Sequence, residues 1–389
     1  MKELSYVIIN PYTLYKSRTG GIISRLLSRT TLDLVGAIMF APSQSLAEEY
    51  AESIGSRGDM EDREIQALIR QYVREHYAPD PVTGRRNRCM VLLLEGEEAV
   101  RRTREAVGPI KRHSLRGETI RDTYGDLIYN RDGSVRYFEP AVLAPPTVEE
   151  AAAQLRILAR YADEDAGMVS QVVPTFGQPG HERTVVIIKP DNFRFPSARP
   201  GNVIDMFSRT GLAITGIKVH RMSVAEAEEF YAPVREVLRE RLQAPTGQKV
   251  RQLAESALGI QIPPELEKEL GRLLGPLVGE NQFESIVRFM TGLDPKSCSP
   301  TERTRPGTEK CIVLVYEGLE AIRKVREVLG PTDPAKAPPG SIRREFGQNI
   351  MVNAAHASDS VQSAERELKI VRIWENDFKN LIAQYYAGS

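Results

Sequence analysis

The chain has 389 residues, 41% hydrophobic and 27% charged, a balance that excludes extended disorder and supplies apolar material for more than one domain. Its 52 Lys and Arg equal its 52 Asp and Glu, so no net positive field gathers nucleic acid, and nucleic acid is not expected as a partner. The opening run Leu4-Ser-Tyr-Val-Ile-Ile-Asn10 is too short and strand-like for a signal peptide, and no apolar run approaches membrane-spanning length, so the expectation is a cytoplasmic protein with no membrane partner.

In chain order, the first predicted strand is Tyr6-Val-Ile-Ile, ending at Asn10-Pro11, followed by a helix with Tyr50 and a strand Cys89-Met-Val-Leu-Leu-Leu-Glu95-Gly96. That strand is apolar on both sides, which buries Cys89 as a small core residue. Tyr129 to Tyr137 predicts a β-hairpin turning at Asp132-Gly133. Asp163 to His181 is rich in Gly, Pro, Ser and Gln and reads as a linker. Beyond it the chain repeats: Val185-Val-Ile-Ile-Lys-Pro190 matches the first strand, Tyr231 matches Tyr50, and Cys311-Ile-Val-Leu-Val-Tyr-Glu317-Gly318 matches the cysteine-led strand. The offset that carries residue 89 to 311 also pairs Arg104 with Arg326, Gly108-Pro109 with Gly330-Pro331, Ile120-Arg121 with Ile342-Arg343 and Gly125 with Gly347. So many matches in one register predict a tandem duplication. The second repeat carries about 41 extra residues, near 236–280, where leucines and valines recur at helical spacing around Pro263-Pro264; they predict a helical hairpin.

Each repeat reads as strand, helix, strand, helices, strand, helix, strand. The predicted class is α+β, with two ferredoxin-like (βαββαβ) domains whose antiparallel sheets carry helices on one face. The expected organisation is residues 1–163 as the first domain, 164–181 as linker and 182–389 as the second domain with its insertion. Three cysteines, Cys89, Cys298 and Cys311, form an odd count without metal-ligand spacing, which argues against disulfides and structural zinc.

There is no phosphate-binding GxxxxGK[ST] loop, since Ala244-Pro-Thr-Gly-Gln-Lys249 lacks the first glycine and the final hydroxyl residue. His76, His113, His181 and His220 have no partner at a metal or catalytic spacing and read as exposed or structural. His356 differs. It lies in Asn353-Ala-Ala-His-Ala-Ser-Asp-Ser360, after a strand pattern at Asn349 to Val352 and before a helix pattern at Val361 to Leu368, with Asp359 and Gln362 as the expected capping pair. A histidine fixed on such a turn is a competent nucleophile near neutral pH.

The segment from Glu182 onward resembles the nucleoside diphosphate kinases. The motifs that carry the resemblance are Ile188-Lys-Pro-Asp191, Tyr231, Tyr316-Glu-Gly318, Gly330-Pro-Thr-Asp-Pro334, Pro339-Gly-Ser-Ile-Arg343 and Asn353-Ala-Ala-His-Ala-Ser-Asp-Ser360. The resemblance implies a ping-pong exchange in which His356 takes the γ-phosphoryl group of a nucleoside triphosphate, with ATP the expected donor, and passes it to a diphosphate. It implies that Glu367 and Ser358 orient the imidazole, with Tyr231 beside it. Lys189, Arg326 and Arg343 would supply cations and Thr332 a hydroxyl. Lys189 and Asn353 would meet the ribose, and Phe283 and Ile350 would enclose the base. Mg²⁺ is the implied cofactor, carried on the nucleotide phosphates with no protein side-chain ligand assigned.

Three features depart from the family pattern: Ala357 stands where glycine follows the histidine, Asn192-Phe193 replaces a glycine and a small apolar residue, and the insertion falls between Tyr231 and Phe283. An alanine at 357 would be costly if the backbone there required positive φ. The first repeat has Asn10, Ile65, Gln154 and Leu143 at the positions of Lys189, Phe283, Glu367 and His356, while Arg104 and Arg121 remain. It reads as an inactive partner packed against the second repeat as an intramolecular pseudo-dimer, with further homo-oligomerisation open. The competing reading is a nucleotide-binding regulatory or scaffold protein that has lost turnover.

Overall fold

The computed structural model describes residues 2–55, 63–111 and 117–386; His113 therefore lies outside the described residues. The chain is α+β with antiparallel sheets. The strands are β1 (Lys2–Ile9), β2 (Asp33–Phe40), β3 (Cys89–Glu97), β4 (Asp126–Tyr129), β5 (Val135–Glu139), β6 (Val142–Leu143), β7 (Ala166–Gly167), β8 (His181–Ile188), β9 (Ala213–His220), β10 (Cys311–Leu319) and β11 (Ala355–Ala357). Helices of the N-terminal part are α1 (Pro11–Tyr15), α2 (Thr19–Arg29), α3 (Gln44–Ser53), α4 (Arg63–His76), α5 (Ala99–Val107), α6 (Ile120–Tyr124) and α7 (Val148–Asp165). Those that follow are α8 (Arg199–Met206), α9 (Val224–Arg241), α10 (Gln243–Leu258), α11 (Pro264–Thr291), α12 (Ala321–Leu329), α13 (Ile342–Phe346), α14 (Val361–Val371) and α15 (Phe378–Tyr386). No helix among the described residues is long and apolar enough to cross a membrane.

Two compact units emerge, one of residues 1–219 and 312–389, the other of residues 220–311. The first unit holds both large sheets. Their strand orders are β6-β1-β3-β2-β7 and β11-β8-β10-β9, so each places its long first strand between the cysteine-led strand and a short late strand. In β1 the side chains alternate between two cores, as the two-residue period of a strand requires. Val7 and Ile9 join a core that also contains Val186, Ile188, Ile312 and Leu314 from the other sheet. Leu4, Tyr6 and Ile8 join a second core with Tyr50, Tyr72, Leu155, Phe378 and Ile382. The last helix, α15, thus packs on the N-terminal sheet: Phe378 meets Phe40 edge-on at 5.8 Å, and the Tyr386 hydroxyl donates to the Leu4 carbonyl at 2.6 Å. Cys89 and Cys311 are both buried, at the start of β3 and β10.

The segment after Asp163 completes α7, adds β7 to the edge of β2, and buries Val169, Val172 and Val173. The hairpin of β4 and β5 turns through Gly133, at φ 86, with Asn130 N donating to Ser134 O at 2.8 Å. In the second unit, α10 and α11 pack side by side through glycines, Pro264 opening α11 at a position where its missing N–H costs nothing. A methyl on Gly275 would lie 2.5 Å from Gln243 Cα, and one on Gly271 2.4 Å from Gln243 O. α11 is one 28-residue helix that carries Phe283.

Two local expectations around His356 need correction, and a conditional one does not apply. Asn349 to Val352 is not a strand: the Asn349 carboxamide accepts from the Met351 and Val352 amides at 2.9 and 2.8 Å, folding those residues into a turn. The strand comes later and contains His356 itself. The cap of the following helix is Ser360, which accepts from Ser363 N at 3.1 Å, rather than Asp359. Ala357 lies in extended β11, whereas the left-handed residue is Ala354, at φ 70.

Candidate active site around His356

β8 is hydrophobic on both faces and fully buried from Thr184 to Ile188, and it pairs with β10 on one side and β11 on the other. The pairing sets His356 opposite Ile187 at the edge of the sheet, with 21% of its side chain exposed. Buried Ala355 and Ala357 flank it. The ring is therefore held by backbone pairing on a rigid strand while one edge reaches solvent.

α14 turns its buried face to this strand and brings Glu367, 3% exposed, against the ring. His356 Nε2 lies 3.1 Å from Glu367 Oε2. Ser358, fully buried one pleat along, donates from Oγ to the same oxygen at 2.7 Å and accepts from Val185 N at 3.1 Å. The carboxylate is thereby anchored to β8 through a serine, with one oxygen within ion-pair distance of Nε2. Nδ1 is left as the nitrogen on the other side of the ring.

Cations and amides gather at the end of β8. Lys189 Nζ donates to Asn353 Oδ1 at 2.7 Å and to Met351 O at 3.1 Å. Burial, and then the charge of Arg343, push this ammonium down to about 7, with Asp191 opposing. The Asn353 carboxamide donates in turn to Thr332 O at 3.1 Å and Ile350 O at 2.9 Å, tying three loops together. Arg343, in the first turn of α13, donates to Gly330 O at 3.0 Å and Ala355 O at 3.2 Å. Arg326 is exposed on α12, where it helps the hydrogen bonds from Ser363 and Ser360 hold the Asp359 carboxyl below its usual range. Thr332 is exposed and Ile350 is 54% exposed.

The structure thus brings Lys189, Arg343, Asn353, His356, Ser358 and Glu367 to one end of the second sheet, with the Thr332 and Ile350 backbones joined to them. Tyr231 and Phe283 belong to the second unit. Both are buried: Tyr231 meets Phe230 edge-on at 5.0 Å, and the Arg235 guanidinium sits 5.1 Å from the Phe283 ring centre. Of the remaining histidines, His181 engages buried Glu317 at 2.7 Å, His220 lies 3.6 Å from Glu226, and His76 lies tilted against the Tyr72 ring with centroids 4.5 Å apart.

Two residues that the sequence marks only as departures or not at all shape this site. Asn192, 1% exposed, donates to Ala354 O at 2.7 Å and Lys189 O at 3.0 Å, and accepts from Arg199 Nε at 2.9 Å. The signal available was an asparagine directly after Lys189-Pro-Asp191; Arg199 carried none.

In the N-terminal sheet, Leu143 pairs with Ile8 in β1, the counterpart of His356 with Ile187. Around it stand Tyr6, whose hydroxyl meets Tyr50 at 2.7 Å and also bonds Gln154, and Asn10, which accepts from Tyr77 at 2.7 Å. Burial raises the Tyr6 and Tyr77 hydroxyls well above their ordinary pKa. Leu143, Gln154 and Asn10 stand where the other sheet has histidine, carboxylate and lysine, and the two buried carboxylates of this cluster bond Asn10 and Tyr72, through Glu139, and Gln154, through Glu150.

Comparison with known proteins matches the sequence profile of the nucleoside diphosphate kinases to residues 182–238 and 301–373. The nucleoside diphosphate kinase of Staphylothermus marinus is 30% identical over 190 residues, 49% of this chain and 92% of that protein. That of Pyrobaculum aerophilum is 31% identical over 207 residues, 50% of this chain and 94% of that protein. The crystal structure of an NDP kinase from Pyrobaculum aerophilum aligns at 30% identity and a TM-score of 0.32, covering 49% of this chain and 94% of that one.

Proposed function

The chain belongs to the nucleoside diphosphate kinase family, and from that premise we propose that it transfers the γ-phosphoryl group of a nucleoside triphosphate to a nucleoside diphosphate through a phosphohistidine at His356. The observation that carries this reading is the chain Val185 N to Ser358 to Glu367 to His356 Nε2. A carboxylate so anchored keeps the proton on Nε2 and leaves the Nδ1 lone pair to attack phosphorus. In the first step the new bond is Nδ1–P, the bond from phosphorus to the β-bridging oxygen breaks, and the diphosphate leaves with that electron pair. In the second, a terminal oxygen of an acceptor diphosphate attacks the same phosphorus and the Nδ1–P bond breaks, restoring the histidine. As charge spreads over the transferring oxygens, Arg343 and Lys189 would supply positive charge to them, and Arg326 and Thr332 would add a guanidinium and a hydroxyl from exposed positions. Asn353 holds Lys189 in place.

Lys189, Arg343 and Asn353 are donors suited to phosphate oxygens, while the carboxylate against the ring, Glu367, is already engaged by Ser358. Mg²⁺ would accordingly enter on the nucleotide, where it neutralises phosphate charge. The first half would be a degenerate second copy, and the two halves an intramolecular pseudo-dimer; the matched strand orders and the paired positions of Leu143 and His356 support this.

The test is transfer of an acid-labile label from γ-labelled ATP to the full chain, compared with His356→Ala. Label on the wild type that the variant lacks supports the enzyme. A wild type that binds nucleotide and takes no label would leave the scaffold reading standing.

A further inference from the structure

Ala354 stands two residues before His356, fully buried, with φ 70. L residues avoid that region because Cβ crowds the backbone carbonyl, so the surroundings must hold it there. The turn it makes is what lets Ala355–Ala357 run antiparallel to β8. Its carbonyl oxygen receives two donors, Lys189 N at 3.0 Å and Asn192 Nδ2 at 2.7 Å. Asn192 is itself fixed, by donation to Lys189 O and by Arg199 Nε on its oxygen. Arg199 extends the connection to the Phe346 carbonyl, at the end of α13.

The N-terminal sheet solves the same backbone problem with a different side chain. Ala141, at φ 61, immediately precedes β6, and its carbonyl receives Asn10 N at 3.1 Å and the Thr13 hydroxyl at 2.9 Å. Thr13 follows Asn10 by three residues as Asn192 follows Lys189. A carboxamide in one sheet and a hydroxyl in the other converge on the carbonyl of a left-handed alanine at the entry to the edge strand. The shared requirement is a side-chain donor at this place, independent of which donor supplies it.

We propose that Asn192 is a positioning residue for His356, clamping the left-handed Ala354 so that the histidine strand keeps its register and the ring its aim. This rests on the phosphotransfer reading of His356, but it concerns the backbone behind the ring. Loss of the clamp frees the Ala354 peptide to leave the left-handed region, and the ring drifts from the line of attack. Misplacement by about 1 Å costs on the order of 100-fold in rate at a reacting centre, so loss of one of two donors is expected to slow histidine phosphorylation by at least about 10-fold. Nucleotide affinity stays near that of the wild type, because the Lys189 ammonium keeps its own bonds to Asn353 and the Met351 carbonyl when its backbone loses Asn192.

The experiment measures the rapid-quench rate of acid-labile labelling from γ-labelled ATP, the nucleotide dissociation constant, and amide hydrogen exchange across residues 354–357, all on the full chain. Asn192→Ala is expected to slow labelling, leave affinity unchanged and speed exchange at those amides. Asn192→Thr, which places the donor seen at Thr13, recovers most of the rate. So does Asn192→Ala combined with Ala354→Gly, because glycine holds positive φ without a clamp. Wild-type labelling and exchange in Asn192→Ala overturn the proposal, as does slow labelling that neither Asn192→Thr nor Ala354→Gly relieves. Should the wild type itself take no label, the phosphotransfer reading fails separately, and unchanged exchange in Asn192→Ala would still overturn the clamp.

Discussion

A methyl group on Gly201 would lie 2.4 Å from the carbonyl oxygen of Gly20, and one on Gly20 would lie 2.3 Å from Asp205 N. The two glycines let α2 and α8 cross with their backbones touching, and Ser24 completes the crossing by hydrogen bonding to Ala198 O at 3.0 Å and Asn202 Oδ1 at 2.7 Å. Any Cβ there meets main chain that cannot swing aside. Gly201→Ala is expected to destabilise the first unit by about 1–3 kcal/mol, the usual cost of overpacking, and Gly201→Val by more. Denaturant midpoints measure this, and an unshifted midpoint would mean that the helices part without cost.

Glu367 is proposed to fix the tautomer and aim of His356. Glu367→Gln keeps shape but replaces the carboxylate with an amide that presents either a donor or an acceptor to Nε2. Labelling and steady-state kcat are expected to fall by about 10- to 100-fold with KM little changed, as when an orienting carboxylate is lost from a histidine pair. A fall in affinity with kcat intact would instead place Glu367 in nucleotide binding.

Lys189 contributes a pH dependence to the stability of the folded chain. Its ammonium is pushed down to about 7 in the folded chain, whereas the unfolded chain holds its lysine proton to about 10.4. Between those values the unfolded state binds more protons, so this group makes stability rise with pH across the window, by at most about 1.4 kcal/mol per unit. Lys189→Met should flatten that rise. A triphosphate placed beside Lys189 restores its charge, so nucleotide binding near pH 8 is expected to take up a proton in the wild type and less in the variant. Calorimetry in buffers of different ionisation enthalpy reads the difference.

Leu143 occupies the histidine's register position in the other sheet. Leu143→His in a His356→Ala background is expected to take no label, because Gln154 replaces the orienting carboxylate, Asn10 replaces the lysine and Tyr6 and Tyr50 fill the space. Acid-labile label on that double variant would show that the imidazole alone suffices.

The α+β class and the central strands were legible in the sequence, since continuous apolar runs such as Val185-Val-Ile-Ile and Cys311-Ile-Val-Leu-Val fix buried strands by local composition alone. His356, Lys189, Arg343 and Asn353 were legible as a set because their motifs resemble those of the nucleoside diphosphate kinases, a resemblance that also implied Glu367. Only the tertiary structure decided which backbone position bears the strain: whether Ala354 or Ala357 is left-handed depends on how β11 meets β8, a pairing between residues more than 160 apart. The same holds for the depressed proton affinity of Lys189, which arises from burial beside Arg343, and for the Gly20–Gly201 crossing and the docking of α15 on the N-terminal sheet. These are properties of approach between distant segments. A sequence window records composition and period, and neither contains the distance between two backbones.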